Sequence, residues 1–370
     1  MFKIGFKDKY KVIHVNNEIG SALVGGAGTY MNEIYKYHNE DTGFVYMNMG
    51  NPLDDFDADE YQQSGDIAIM HMQESSKLAY LEFDVMVIQF YEFAFCVTDD
   101  VLKGRKLAYV IHSVPTPEPY TPENPFGCNY DIRSKFEHLC EKADVLVCVS
   151  NAEKNKLSTI YPQYASKIKV VHNGISYNGI PKLNDNYRKS RRKFGYIGRT
   201  DYRKGILETI KAIKDMDAEL HIACPKNDSA YLEKILLYIE AANMQDRVKF
   251  YGWCVGERKK NFFDSLDALI IPSLYEPFGY VALEGMCNGL PVISSNNGGL
   301  DEILEGYKYK YNPYLEDGLE NAIRSFKEDS EEIIYEQQQI LLKNLTRFHA
   351  REMAEKYDEI WEQLINGDCI

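Results

Sequence analysis

The sequence predicts an α/β protein of two doubly wound domains, each a parallel sheet layered with helices. Three observations carry that expectation. Short apolar runs of strand length alternate with helical patterns, as strand–helix–strand units with buried parallel strands do. The alternation breaks once, at residues 176–193, where Gly179, Pro181, Asn184, Asp185 and Asn186 mark a polar linker. The chain has 370 residues and is 45% apolar, more than one core usually takes and enough for two.

In the first half, residues 11–15 read as a strand, a Gly-rich turn follows, and a helix begins near Thr29. Further strands are expected at 44–47, 67–70, 85–88, 107–111, 145–149 and 168–171, with helices near 134–142 and 152–160. This defines a first domain over 1–178. The second series starts at Phe194-Gly195-Tyr196-Ile197 and runs through 219–223, 248–251, 268–271 and 292–294, a second domain over 179–345. Two halves of similar build suggest Rossmann-like domains facing each other across a cleft. From Glu316 the pattern is helical. Phe348, Met353, Tyr357 and Trp361, at spacings of five, four and four, read as one apolar helix face.

Composition narrows the function classes. A net charge of −14 and a pI near 5.1 suit nonspecific binding to DNA or anionic lipid poorly. The eight cysteines form no Cys-x-x-Cys pair, and Cys148 lies inside an apolar strand. That pattern suggests a reducing cytosol, with neither a disulfide framework nor a zinc site. No window reaches 18 apolar residues and the N-terminus lacks a leader pattern. The expectation is a cytoplasmic protein with no membrane span.

Chemistry concentrates where strands end. Glu276 and Glu284 are separated by seven residues in Glu276-Pro277-Phe278-Gly279-Tyr280-Val281-Ala282-Leu283-Glu284, directly after the apolar run 268–271. Ligands of open α/β sheets bind beyond the carboxyl ends of the strands. Carboxylates there accept hydrogen bonds from hydroxyls, which suits a polyhydroxylated ligand. Gly198-Arg199-Thr200-Asp201-Tyr202-Arg203-Lys204-Gly205 follows the first strand of the second domain and places cations where a strand gives way to a helix. Fixed cations there can hold and stabilise an anionic group. His112 ends the strand 107–111, where it could hydrogen-bond a sugar or polarise an acceptor. Gly25-Gly26-Ala27-Gly28 opens a helix, letting backbone approach a ligand, but lacks the dinucleotide fingerprint. Tyr251-Gly252-Trp253-Cys254 follows another strand end, where Trp253 reads as packing or as a stacking surface. Asp55, Asp57 and Asp59 form Asp-x-Asp pairs in an acidic loop, read as solvated. No bound metal is expected. Arg188-Lys189-Ser190-Arg191-Arg192-Lys193 is read as a solvated basic run.

The glutamate segment, with Pro272-Ser273 before it and Gly298-Gly299-Leu300-Asp301-Glu302 after it, resembles the retaining nucleotide-sugar glycosyltransferases of family 4, of GT-B architecture. The resemblance is strong over 195–302 and weaker over 11–173. It implies transfer of a hexose-type sugar from a nucleoside diphosphate sugar, a UDP-sugar such as UDP-glucose foremost, to an acceptor hydroxyl without a metal. By resemblance, Glu284 would bind the ribose, and Glu276 the transferred sugar with the amides of Phe278 and Gly279. Arg199 and Lys204 would hold the diphosphate. Gly25 and Gly26 would reach phosphates or acceptor, residues near Trp253 and Cys254 would meet the base, and His112 would be the active-site histidine. It also implies that the tail helix, about 346–370, crosses back onto the first domain. His172-Asn173-Gly174-Ile175 is similar to the family's turn at the domain exit, but Ser176 stands where the family has Asp. Ile197-Gly198-Arg199-Thr200 is also similar to a turn of phage DNA α-glucosyltransferases. The acidic net charge and the intact glutamate pair nevertheless rank a small-molecule or glycan acceptor ahead of a hydroxymethylated DNA base. A UDP-sugar 2-epimerase and a silent nucleotide-sugar-binding module remain the alternatives.

Overall fold

The structure is a computed structural model and describes residues 2–4, 6–19, 25–49, 66–116, 128–225 and 229–368. Asp55, Asp57 and Asp59 lie outside them. The chain forms two compact units, Met1–Ser176 with Ala350–Ile370, and Tyr177–His349.

The first unit runs β1 (Phe2–Ile4), β2 (Val12–Asn16), α1 (Gly26–Tyr37), β3 (Thr42–Asn48), β4 (Ile67–His71), β5 (Val85–Ile88) and β6 (Lys106–Ile111). It continues with α2 (Tyr130–Lys142), β7 (Val145–Cys148), α3 (Asn151–Ile160) and β8 (Ile168–Val170). Its eight strands lie in the order β1-β4-β3-β2-β5-β6-β7-β8. All neighbours are parallel except β1, which pairs antiparallel with β4. Three residues at a sheet edge are too short for a periodic signal, and β1 was not anticipated. β5 and β7 are buried along their whole length, as expected of strands covered on both faces. Side-chain caps set the helix starts. Asn129 Oδ1 accepts from the amides of Asp131 and Ile132, and Ser150 Oγ from that of Glu153. Helix α1 begins at Gly26, three residues before the expected Thr29.

The second unit runs β9 (Lys193–Ile197), α4 (Ile206–Ala212), β10 (Glu219–Ala223), α5 (Ser229–Ala241), β11 (Val248–Phe250), α6 (Gly256–Asp264) and β12 (Ala268–Ile271). Then come α7 (Tyr280–Cys287), β13 (Val292–Ser295), α8 (Gly299–Ile303), β14 (Lys310–Tyr311), α9 (Gly318–Glu328) and α10 (Glu331–Leu345). Its sheet is wholly parallel, in the order β11-β10-β9-β12-β13-β14. The strand order reverses between β9 and β12, so the loops after these two strands lie side by side.

Helix α11 (Ala350–Asn366) follows the second unit in sequence and packs in the first. Tyr357 and Trp361 stack at 5.5 Å, and the edges of Tyr30 and His14 meet them at 5.8 and 6.4 Å. Phe348 does not share that face. It precedes the helix and packs edge-on against Phe278 of the second unit at 5.8 Å. Its spacing of five from Met353 is not a helical neighbour distance.

Candidate active site

The two loops at the strand-order reversal of the second unit carry most of the candidate residues. The loop after β9 starts at Gly198 and holds Arg199, buried Thr200, Asp201 and the turn Tyr202–Lys204. Gly205 ends it at φ +68. A Cβ on Gly205 would stand 2.2 Å from the Pro272 carbonyl oxygen, so only glycine lets this loop approach the one after β12 so closely. The amide of Leu274 donates to the Arg203 carbonyl at 2.8 Å, tying the loops together.

This approach delivers Lys204 to Glu276. Lys204 Nζ forms an ion pair with Glu276 Oε1, and Ser273 Oγ donates to the same oxygen at 2.7 Å. The Glu276 side chain is 14% exposed. Burial pushes its carboxyl up, but the ammonium of Lys204, the Ser273 hydroxyl and the Arg199 charge outweigh burial and hold it below the usual range. Its main chain is also held. The Gly299 amide donates to the Glu276 carbonyl at 2.8 Å, in a parallel bridge with Gly298. Arg199 is about half exposed and lies 3.5 Å from Asp201. Phe278 is buried, and Gly279, at φ +119, leads into α7.

Glu284 lies on α7, and Lys259 of α6 reaches it, Nζ to Oε1 2.6 Å. Its side chain is 12% exposed. Trp253 is half-buried after β11, whereas the Cys254 side chain is buried and its thiol faces the Gly252 carbonyl at 3.8 Å. A contact from Cys254 to a ligand would therefore come from its main chain. His221 is buried, stacks on Tyr251 at 5.5 Å and is hydrogen-bonded to its hydroxyl at 2.8 Å.

In the first unit, His112 follows β6 between Tyr30 (edge-on, 4.8 Å) and Phe90 (stacked, 5.7 Å). Burial lowers its pKa to about 4, so the ring is neutral near pH 7. Its Nε2 is buried with no hydrogen-bond partner among the described residues. The segment after it is clamped. Buried Glu153 accepts from the Val114 amide at 2.6 Å, and Lys156 donates to the Val114 carbonyl at 2.6 Å. Gly25 caps α1 with extended backbone (φ −175), and a Cβ there would meet nothing within 4 Å. Gly26 is the first residue of the helix. At Ser176, Glu33 of α1 supplies a carboxylate from elsewhere in the chain. It accepts from the Ser176 amide at 3.0 Å and from its hydroxyl.

Three site-shaping residues had no sequence motif to mark them: Lys259, Asn297 and Glu153. Ser273 was only part of the Pro-Ser pair before the glutamate. Asn297 donates to the Leu274 carbonyl at 2.6 Å, bracing the loop that carries Glu276. Among the described residues no cluster of three His, Cys, Asp or Glu side chains is placed to hold a metal ion, and no helix is long and apolar enough to cross a membrane.

Comparison with known proteins agrees with this layout. The family model for glycosyl transferases group 1 matches residues 183–343, and that for glycosyltransferase family 4 matches 68–178. An uncharacterised glycosyltransferase of Methanocaldococcus jannaschii is 33% identical over 199 residues, 48% of this chain and 50% of that protein. A glycogen synthase of Mycobacterium tuberculosis is 27% identical over 52% of this chain and 47% of its own. The chain spans about half the length of the curated relatives it matches. Sucrose-phosphate synthase from Thermosynechococcus elongatus has a similar fold, with a TM-score of 0.77 at 17% identity, covering 97% of this chain and 100% of that one. Anabaena HepE in complex with UDP-glucose also gives 0.77 at 17% identity, over 96% and 100%. With both halves matched by glycosyltransferase models and each folded as a parallel α/β unit, this chain belongs to the family 4-type glycosyltransferases of GT-B architecture.

Proposed function

We propose that the protein transfers a hexose-type sugar from a nucleoside diphosphate sugar to an acceptor hydroxyl, with retention at the anomeric carbon. The observation that carries this reading is the meeting of Lys204, Ser273 and Glu276 at the strand-order reversal of the second unit, beside Arg199. An ionised carboxylate there accepts hydrogen bonds from sugar hydroxyls. The adjacent cations stabilise the charge that a diphosphate gains as the glycosidic bond breaks. Lys204 would serve both, leaning between Glu276 and the diphosphate. The departing phosphate oxygen would take the acceptor's proton as the acceptor oxygen attacks the same face. Glu284 would bind the ribose hydroxyls. His112, neutral, would exchange a hydrogen bond with a sugar hydroxyl through its unpartnered Nε2. UDP is the first nucleotide to try, because it occupies the related HepE fold.

A donor screen without acceptor tests the reaction class. Slow hydrolysis that survives excess chelator is expected. A new nucleotide sugar would indicate an epimerase instead, and complete loss with chelator would return attention to Asp55, Asp57 and Asp59. Calorimetry then tests the two glutamates. Glu284→Gln should weaken the free nucleoside diphosphate, whereas Glu276→Gln should spare it and impair transfer. Equal weakening by both would refute this division of roles.

A further inference from the structure

Neither the fold nor the family motif calls for a cation beside Glu284, yet Lys259 Nζ lies 2.6 Å from its Oε1, with side chains only 30% and 12% exposed. The pair joins two helices, α6 and α7, and includes no residue of the diphosphate loop. We propose that Lys259 is a positioning residue that fixes the Glu284 carboxylate for the vicinal hydroxyls of a ribose, and so sets the preference for ribonucleotides over their deoxy counterparts. This rests on the ribose role given to Glu284 above.

The physical reasons are two. A carboxylate offers about four acceptor positions, and the ammonium takes one on Oε1, leaving Oε2 and the rest of Oε1 for a diol. The glutamate side chain has free torsions, and holding them before the ligand arrives removes an ordering cost from binding.

The test compares binding of uridine diphosphate and 2′,3′-dideoxyuridine diphosphate by calorimetry, repeated with the adenosine and guanosine pairs if the native protein prefers those. The native protein should favour the ribonucleotide. Lys259→Gln should weaken the ribonucleotide about tenfold and leave the dideoxy compound nearly unchanged, so the ratio between them collapses. Lys259→Arg, which keeps the cation, should retain most of the ratio, and thermal melting of each variant checks the fold. In a Glu284→Gln background Lys259→Gln should have no further effect on the ratio. An equal loss for both nucleotides, an unchanged ratio or a raised one would overturn the proposal. If Glu284→Gln itself leaves the ratio intact, or no nucleoside diphosphate binds, the ribose assignment fails and this inference with it. If only Lys259→Gln leaves it intact, the inference alone fails.

Discussion

Arg199 and Lys204 share one loop but not one environment. Arg199 is half exposed, whereas Lys204 partners a nearly buried carboxylate. Each alanine variant should lower turnover roughly a hundredfold, the scale of losing one preorganised charge-stabilising group. Their stabilities should differ. Arg199→Ala should melt like the native chain. Lys204→Ala should lose about 1–3 kcal/mol in urea unfolding, because the largely buried Glu276 loses its ion-pair partner and keeps the Ser273 hydroxyl alone in direct contact. Glu276→Gln added to it should recover part of that stability and none of the activity. Equal melting of the two single variants would refute the distinction. His112 supports a pH prediction. Its folded pKa is depressed to about 4 from the ordinary 6.5. Its contribution to stability is present above pH 6.5 and is lost as pH falls toward 4, because the unfolded chain takes up the proton first. His112→Gln should therefore flatten the stability–pH slope in that window by up to about 1.4 kcal/mol per pH unit. Urea midpoints between pH 7 and 4 measure this, and an unchanged slope would show that the ring protonates in place.

At the scale of elements, glycines decide how closely the loops of the second unit approach. Gly298 sits at φ +77, and a Cβ there would lie 2.1 Å from the Glu276 carbonyl oxygen. Gly306 has a similar φ of +71, but a Cβ there meets nothing within 4 Å. Gly298→Ala should therefore displace the Glu276 loop and abolish most transfer, while Gly306→Ala shows only backbone strain of about 1–2 kcal/mol. Turnover and melting of the pair separate the two effects. A Gly298→Ala enzyme with native turnover would mean that the Glu276 main chain need not be held. Much of this geometry is legible in the sequence. The apolar runs that became β9 and β12, each followed by glycine, cation or carboxylate, already mark the loops that meet. The partners are not legible. Glu33 reaches Ser176 from 143 residues away, so the missing aspartate at 176 gave no sign that a carboxylate would be supplied from elsewhere.

For the whole molecule, the return of α11 to the first unit ties the end of the chain to its beginning. Trp361 is buried against His14 and Tyr357, and Trp361→Ala should cost about 3–5 kcal/mol. The loss should appear in the first unit. Amide exchange should rise in β2 and β5 and stay unchanged in β9 and β12. Equal rises in both would show that the units unfold as one.

By itself the sequence determined the strand–helix alternation, the linker and the loops rich in cations and carboxylates, because these are local patterns of period two or 3.6 and of turn residues. It also carried the family motif that names Glu276 and Glu284. Only the tertiary structure decided which charges are paired. Lys204 and Glu276 are 72 residues apart, and Lys259 and Glu284 are 25 apart. The first pair forms because a strand order of β9 beside β12 sets two distant loops together, the second because it joins α6 and α7, the helices before and after β12, and no periodicity in the chain encodes either adjacency. Phe348 falls in the second unit and the residues from Ala350 in the first. Spacing predicts a shared helix face only while the helix lasts, and here the helix starts at Ala350.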